Sequence, residues 1–171
     1  MQEIDVAKLQ VRGVGIWLKQ WLLLTAGTRD DFNAMTVGWG SIGGMWGKPF
    51  VQVVVRPTRH TRQYMDTYPT FTLSAFPKEN KKALTILGTK SGRDSAKIIE
   101  SGLTVIESKA VEAPAYQEAE LILECRKLYW QDMSPDNFLD PTIEESYPQK
   151  DYHRIYYGEI LRAVGVAAYQ G

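Results

Sequence analysis

A chain of 171 residues with a single cysteine, Cys125, cannot close an intrachain disulfide, and its only two histidines, His60 and His153, form no ligand cluster in sequence. Charge of one sign is missing too. The 20 basic and 20 acidic residues cancel, so no overall field would draw in nucleic acid or an anionic membrane. Any anion recognition must therefore be local. Long apolar runs are also missing: Ile16 to Ala26 is broken by Lys19 and Gln20 and is too short to span a bilayer. The N-terminus carries Glu3 and Asp5 with no apolar signal-peptide segment behind them, so a cytoplasmic protein with no membrane role is expected. A nucleophile elbow, a P-loop order and a Ser/His/Asp arrangement are all absent.

What is there reads mostly as strand. Trp21 to Ala26 is an apolar run closed by Gly27, and Asn33 to Trp39 alternates as its hairpin partner. Phe50 to Val55 is β-branched and stops before Pro57. Thr70 to Ala75, Leu103 to Glu107, Ala119 to Trp130 and Tyr152 to Val164 continue the pattern. Gly40, Gly43, Gly44 and Gly47 make the stretch between two of these strands flexible in outline. Short helices are expected over Thr61 to Tyr68, with Thr61 as N-cap, over Glu79 to Leu87, and over Asp94 to Ser101 before Gly102. The spacing puts Ala83, Leu84 and Leu87 on one helix face. Met133 to Lys150 reads as a long loop. Many strands with a few helices, and no repeat or linker, predict one mainly β domain over residues 1–171, a β-barrel with helical additions.

Three segments carry the chemistry of a ligand site. In Asn33-Ala34-Met35-Thr36-Val37-Gly38-Trp39-Gly40-Ser41, glycines expose backbone beside an aromatic ring and hydroxyls. Such an edge suits a flat heterocycle, although a core-packing strand reads equally well from this segment alone. Arg56-Pro57-Thr58-Arg59-His60-Thr61 stands where a strand hands over to a helix, and a guanidinium fork beside helix amides suits a phosphate. No acidic residue follows until Asp66, so a surface ion pair would have to come from a distant segment. Lys90-Ser91-Gly92-Arg93-Asp94, with Lys97 beyond, could close over the phosphate tail, while Ser91 to Asp94 also has capping-box spacing. A ring slot and a phosphate cradle together point to flavin mononucleotide (FMN).

Other features take plainer readings. Cys125 alternates with Leu121 and Leu123 and is a buried, inert thiol. Glu118, Glu120 and Glu124 read as a solvated strand face, and Tyr129, Trp130, Tyr156 and Tyr157 as core or interface aromatics. No residue is assigned a catalytic proton-transfer role, and no metal ligand is assigned.

In this order the segments resemble the flavin reductase-like family with the FMN-binding split barrel, and its flavoredoxin-like branch in particular. The stretches Asn33 to Trp39, Val55 to Thr61 and Ser91 to Asp94 with Lys97 carry the resemblance, together with Gln131 to Asp140 and Asp151 to Ile160. It implies a Greek-key split barrel that forms a homodimer with FMN near the subunit interface. It also implies reduction of flavin by a nicotinamide nucleotide, NAD(P)H, or alternatively electron transfer through held FMN to a redox protein. A flavin-free interaction domain is the third reading. Carried over, Thr36 to Ser41 would line the ring and ribityl chain, Arg56, Arg59, His60 and Thr61 the phosphate, and Lys90 to Asp94 with Lys97 the rest of the tail pocket. Trp46, in Gly43-Gly44-Met45-Trp46-Gly47, would narrow the site or lie over the ring.

Overall fold

The computed structural model describes residues 1–93 and 96–171. Its strands are Gln2–Ile4 (β1), Leu22–Gly27 (β2), Phe32–Val37 (β3), Gly40–Met45 (β4), Lys48–Val55 (β5), Thr70–Ala75 (β6), Val105–Ile106 (β7), Ala115–Tyr116 (β8), Leu121–Asp132 (β9) and Arg154–Gly165 (β10). Gly13–Gly15 (α1) runs into a five-residue π turn, Ile16–Gln20, and Thr61–Thr67 (α2), Lys81–Thr89 (α3) and Lys97–Ser101 (α4) complete the α-helices. None of the described helices is long and apolar enough to cross a membrane.

One antiparallel sheet runs in the order β3-β2-β6-β9-β10-β5-β4, with β1 pairing the far end of β10. Alternate residues from opposite ends of this order meet in one cluster: Leu22 and Leu24, Met35 and Val37, Val53 and Val55, Phe71, Leu123 and Tyr156. Only a sheet that curls on itself brings such residues together, because strand side chains alternate between two faces. Cys125 is buried in the same interior, and burial pushes its thiol well up, so it stays a packing residue.

The curl does not close by hydrogen bonds. Among the described residues β3 has a ladder only with β2, while β5 pairs with β10 and β4. β3 and β5 therefore run beside each other without pairing, and the barrel is split between them. A second cluster packs outside the barrel, where Ala83, Leu84 and Leu87 of α3 cover Leu23 and Ile122. That is the helix face the spacing predicts.

Several expectations change. The glycine-rich stretch is an ordered strand, β4, because Gly40 to Met45 has a full ladder with β5. Gly40 is small for a packing reason. A Cβ there would lie 2.3 Å from the Gln52 carbonyl oxygen and 2.5 Å from the Trp17 ring. Trp46 and Gly47 form the hairpin turn with φ of 54° and 69°, the positive angles of a two-residue turn that matches strand twist. Trp46 thereby sits against Tyr129 and Tyr157, at ring centroid separations of 6.2 and 6.0 Å, and takes no part in lining the split. The strand expected over Leu103 to Glu107 shrinks to β7, paired with β8.

The expected solvated acidic face is overturned at Glu124. Glu124 is only 1% exposed; it accepts Arg162 at 2.5 Å and the backbone N–H groups of Lys109 and Ala110. Glu120 accepts the Tyr169 hydroxyl at 2.7 Å and the Gln20 amide, and Glu118 accepts the Thr104 N–H at 3.0 Å. The buried Glu124 carboxylate needs such partners, and they come from segments that local alternation cannot reveal, whereas Glu118 and Glu120 stay partly exposed.

Candidate functional site

The split between β3 and β5 is a cleft lined by Met35, Thr36, Val37, Gly38, Trp39, Val54, Arg56, Arg59 and His153. Its wall is the free edge of β3. Met35 and Val37 point their side chains into the barrel core, so they face the cleft through backbone. Thr36 turns the other way and donates its hydroxyl to the Leu84 carbonyl at 2.5 Å, tying β3 to α3. An unpaired strand edge is a row of amide donors and carbonyl acceptors, which suits a ligand with polar atoms along one rim. Asn33 to Trp39 spans about 20 Å at the rise of a strand, enough for a ring and a tail laid end to end.

The two ends of that wall differ in chemistry. At the Asn33 end the segments singled out from sequence converge. The Asn33 amide donates to the Thr61 hydroxyl at 2.8 Å, and Thr61 is buried inside the first turn of α2. His60, not Thr61, holds the N-cap position, a correction that follows from the Thr61 hydroxyl being used by Asn33. Gly92 packs here so closely that a Cβ would lie 2.4 Å from Asn33 Oδ1 and 3.1 Å from the His60 ring. Arg59 donates to the Gly88 carbonyl at 2.7 Å, and Lys97 to the carbonyls of Leu87 and Lys90 at 3.3 and 3.2 Å.

Lys97 is the least expected of these. It is 3% exposed, and among the described residues neither it nor Arg59 has a carboxylate partner. Burial, and then the charge of Arg59, pull the Lys97 ammonium down to about 8. Arg59 is lowered likewise by burial and by Arg56. Two desolvated cations that repel each other are held on neutral carbonyls, an arrangement that an anion would relieve.

The remaining loop residues are spread more widely. Lys90 pairs with Glu100, and Ser91 accepts the backbone N–H of Arg93 at 3.2 Å. Arg93 reaches the Thr58 carbonyl at 3.4 Å. The predicted residue Asp94 lies outside the described residues.

At the other end Trp39 stands half exposed beside His153, with ring centroids 5.2 Å apart. Trp17 and the edge of Trp21 buttress Gly38 and Gly40 from behind, so these glycines serve packing as well as access. Ser41 is outside the cleft lining, with its hydroxyl on Gln52 at 3.1 Å. Arg56 does not stand free as the sequence order implied. It pairs with Asp151 at 2.7 Å, donates to the Ser146 carbonyl at 2.7 Å and lies 4.9 Å above the Tyr147 ring. A distant acid does serve it, and Arg56 borders the cleft mainly as the clasp of the 133–152 segment.

Val54 and His153 line the cleft without having been singled out. Val54 looks like any core position of a β-branched strand. His153 lies in a segment that carries the family resemblance, but a lone histidine gives no signal until the fold sets it beside Trp39.

Residues 19–167 match the family model described as "Flavin reductase like domain". The fold is similar to an FMN-binding domain of a flavin reductases-like enzyme from Shewanella baltica (TM-score 0.68, 16% identity, covering 94% of this chain and 74% of that one). It is similar to the flavoredoxin of Methanosarcina acetivorans (TM-score 0.67, 21% identity, covering 98% and 74%). A third neighbour is the NADH:FAD oxidoreductase of Streptomyces globisporus in complex with NAD and FAD fragments (TM-score 0.66, 18% identity, covering 89% and 78%). At these identities the likeness to the solved structures is one of fold.

Proposed function

We propose, from the premise that this chain belongs to the flavin reductase-like family, that it is an FMN-binding oxidoreductase taking electrons from NAD(P)H. The observation that carries this reading is the make-up of the cleft: its lining holds the desolvated cation Arg59, with Lys97 buried close behind it, and the Trp39–His153 pair. A phosphate-tailed flat ring fits both ends and the polar strand edge between them. Arg59, Lys97, Asn33 and Gly92 would hold the tail, and Gly38, Trp39, Val54 and His153 the ring.

Bound FMN supplies the hydride-accepting chemistry, and the chain supplies placement. The free edge of β3 orients the ring, the core behind Met35 and Val37 keeps water from one side, and the cations fix the tail. This division of labour explains a site without a nucleophile or an acid–base pair.

The purified protein is expected to carry flavin absorbance or to quench added FMN fluorescence, and anaerobic NADH or NADPH is expected to bleach the bound flavin. Absence of both flavin signals sinks the reading. Binding without bleaching by either nucleotide supports a second reading, an electron carrier that holds FMN for redox proteins. That reading is favoured by the exposed Trp46, Tyr129 and Trp130, an aromatic surface offered to another protein.

A homodimer belongs to the leading reading, and it rests on the family alone. Light scattering should return about twice the 19.4 kDa chain mass, and a strictly monomeric protein would remove the dimer from the proposal.

A further inference from the structure

His153 immediately precedes β10, and its ring is held from behind. Its Nδ1 lies 2.8 Å from the Tyr147 hydroxyl, with both residues buried. Among the described residues the same hydroxyl has one other hydrogen-bond partner, the Met133 sulfur at 3.4 Å. Two proton arrangements satisfy this geometry. In one, Tyr147 donates to Nδ1 and the imidazole proton sits on Nε2. In the other, Nδ1–H donates to Tyr147 and the phenol proton is left to sulfur. Thioether sulfur is a weak acceptor and an imidazole nitrogen a strong one, so the first arrangement wins.

The segment carrying Tyr147 is firmly set. Phe138 and Tyr152 pack on the Tyr147 ring at 6.0 and 5.0 Å. The three contacts of Arg56 clasp its far end, and the Met133 N–H bonds the His153 carbonyl at 2.9 Å. Among the described residues nothing bonds His153 Nε2, and the residue lines the cleft beside Trp39.

We propose that Tyr147, which does not itself line the cleft, is a positioning residue that fixes His153 as a neutral imidazole with its proton on Nε2, so that the cleft receives one N–H donor at the ring end of its ligand. The proposal rests on the FMN reading for the identity of that ligand, and the donor chemistry requires a carbonyl oxygen or an unprotonated nitrogen on it. The surrounding charges keep the donor neutral. Burial above all, then Arg56, with Arg59 adding and Asp151 opposing, hold the imidazole down to about 4. Burial holds the Tyr147 phenol above its ordinary value, so it remains a donor.

The chain has only two histidines, so a long-range ¹H–¹⁵N spectrum of the whole protein contains two imidazoles, and His153→Gln assigns them. The expected result is an unprotonated Nδ1 and a protonated Nε2 in His153 at neutral pH, before any flavin is added. Tyr147→Phe keeps the ring stack and loses the hydroxyl. It should mix the tautomers and weaken FMN and riboflavin equally, by about 2- to 10-fold, since a ring-side hydrogen bond is neutral and distant from the phosphate. A protonated Nδ1 in the unmodified protein overturns the proposal, and that spectrum decides even if Tyr147→Phe fails to fold. An unchanged tautomer in a folded Tyr147→Phe protein also overturns it. A correct tautomer in a protein that binds no flavin overturns the FMN reading, and with it the ligand, while leaving the Tyr147 to His153 linkage in place.

Discussion

Replacing Lys97 with methionine is expected to weaken FMN binding on the order of 10- to 100-fold and to leave riboflavin within about twofold, the loss of one charge-assisted bond to a phosphate. Methionine keeps the unbranched stem that fills the space between α3 and α4, so the fold should survive. Titration of flavin fluorescence measures both ligands. Equal losses for FMN and riboflavin would remove Lys97 from the phosphate end.

A pH profile sharpens this test because Lys97 already sits at about 8 in the flavin-free protein. A bound phosphate restores the missing counter-charge and raises it again, so binding takes up a proton only above that value. FMN affinity should therefore be flat from about pH 7 to about pH 8 and then fall by up to about tenfold per unit. The fall should vanish in Lys97→Met. The same lysine acts against the flavin-free fold. An unfolded lysine keeps its proton to about pH 10.4, so between about 8 and that value the unfolded chain binds more protons. Flavin-free stability should rise with pH across that window, and the penalty is fully present below it.

Arg162→Met is expected to cost about 3–5 kcal/mol of stability, because it leaves the Glu124 carboxylate buried without its counter-charge. Glu124 is 1% exposed, and the Arg162 bond at 2.5 Å is its only charged partner among the described residues. Adding Glu124→Gln should recover much of the loss, since an amide oxygen still accepts the Lys109 and Ala110 N–H groups without a buried charge. Denaturant melts at constant pH measure both variants. A single variant within about 1 kcal/mol of the parent would mean that the pair is solvated and contributes as surface pairs do.

The sequence was most legible where local pattern and final environment agree. The Val-rich run of β5 and the Ala83, Leu84 and Leu87 face of α3 need only their own periodicity, and both stand as expected. The arginine turn and the Gly92 loop read as parts of one site, and Asn33, Thr61, Gly92 and His60 do meet. What escaped depends on partners far along the chain. β4 looks like a loop until β5 is beside it, because glycines lack side chains to signal a strand. β1 exists only through the end of β10. Arg56 looked like a free ligand because Asp151 lies 95 residues away. His153 gives no signal because its cleft neighbour Trp39 comes from a separate segment and its Tyr147 partner from across a loop.

The open edge of β3 has a consequence for the protein without its ligand. A row of unpaired amides recognises an incoming strand as readily as a ring, so the groove is also the place where a second chain would add itself. The barrel keeps that risk small by hemming the edge between α3, through Thr36, and β5, through Val54. A flat heterocycle enters such a slot edge-on more easily than a side-chain-bearing strand. Under the proposed function, the ligand would occupy the position of the strand that would have closed the barrel.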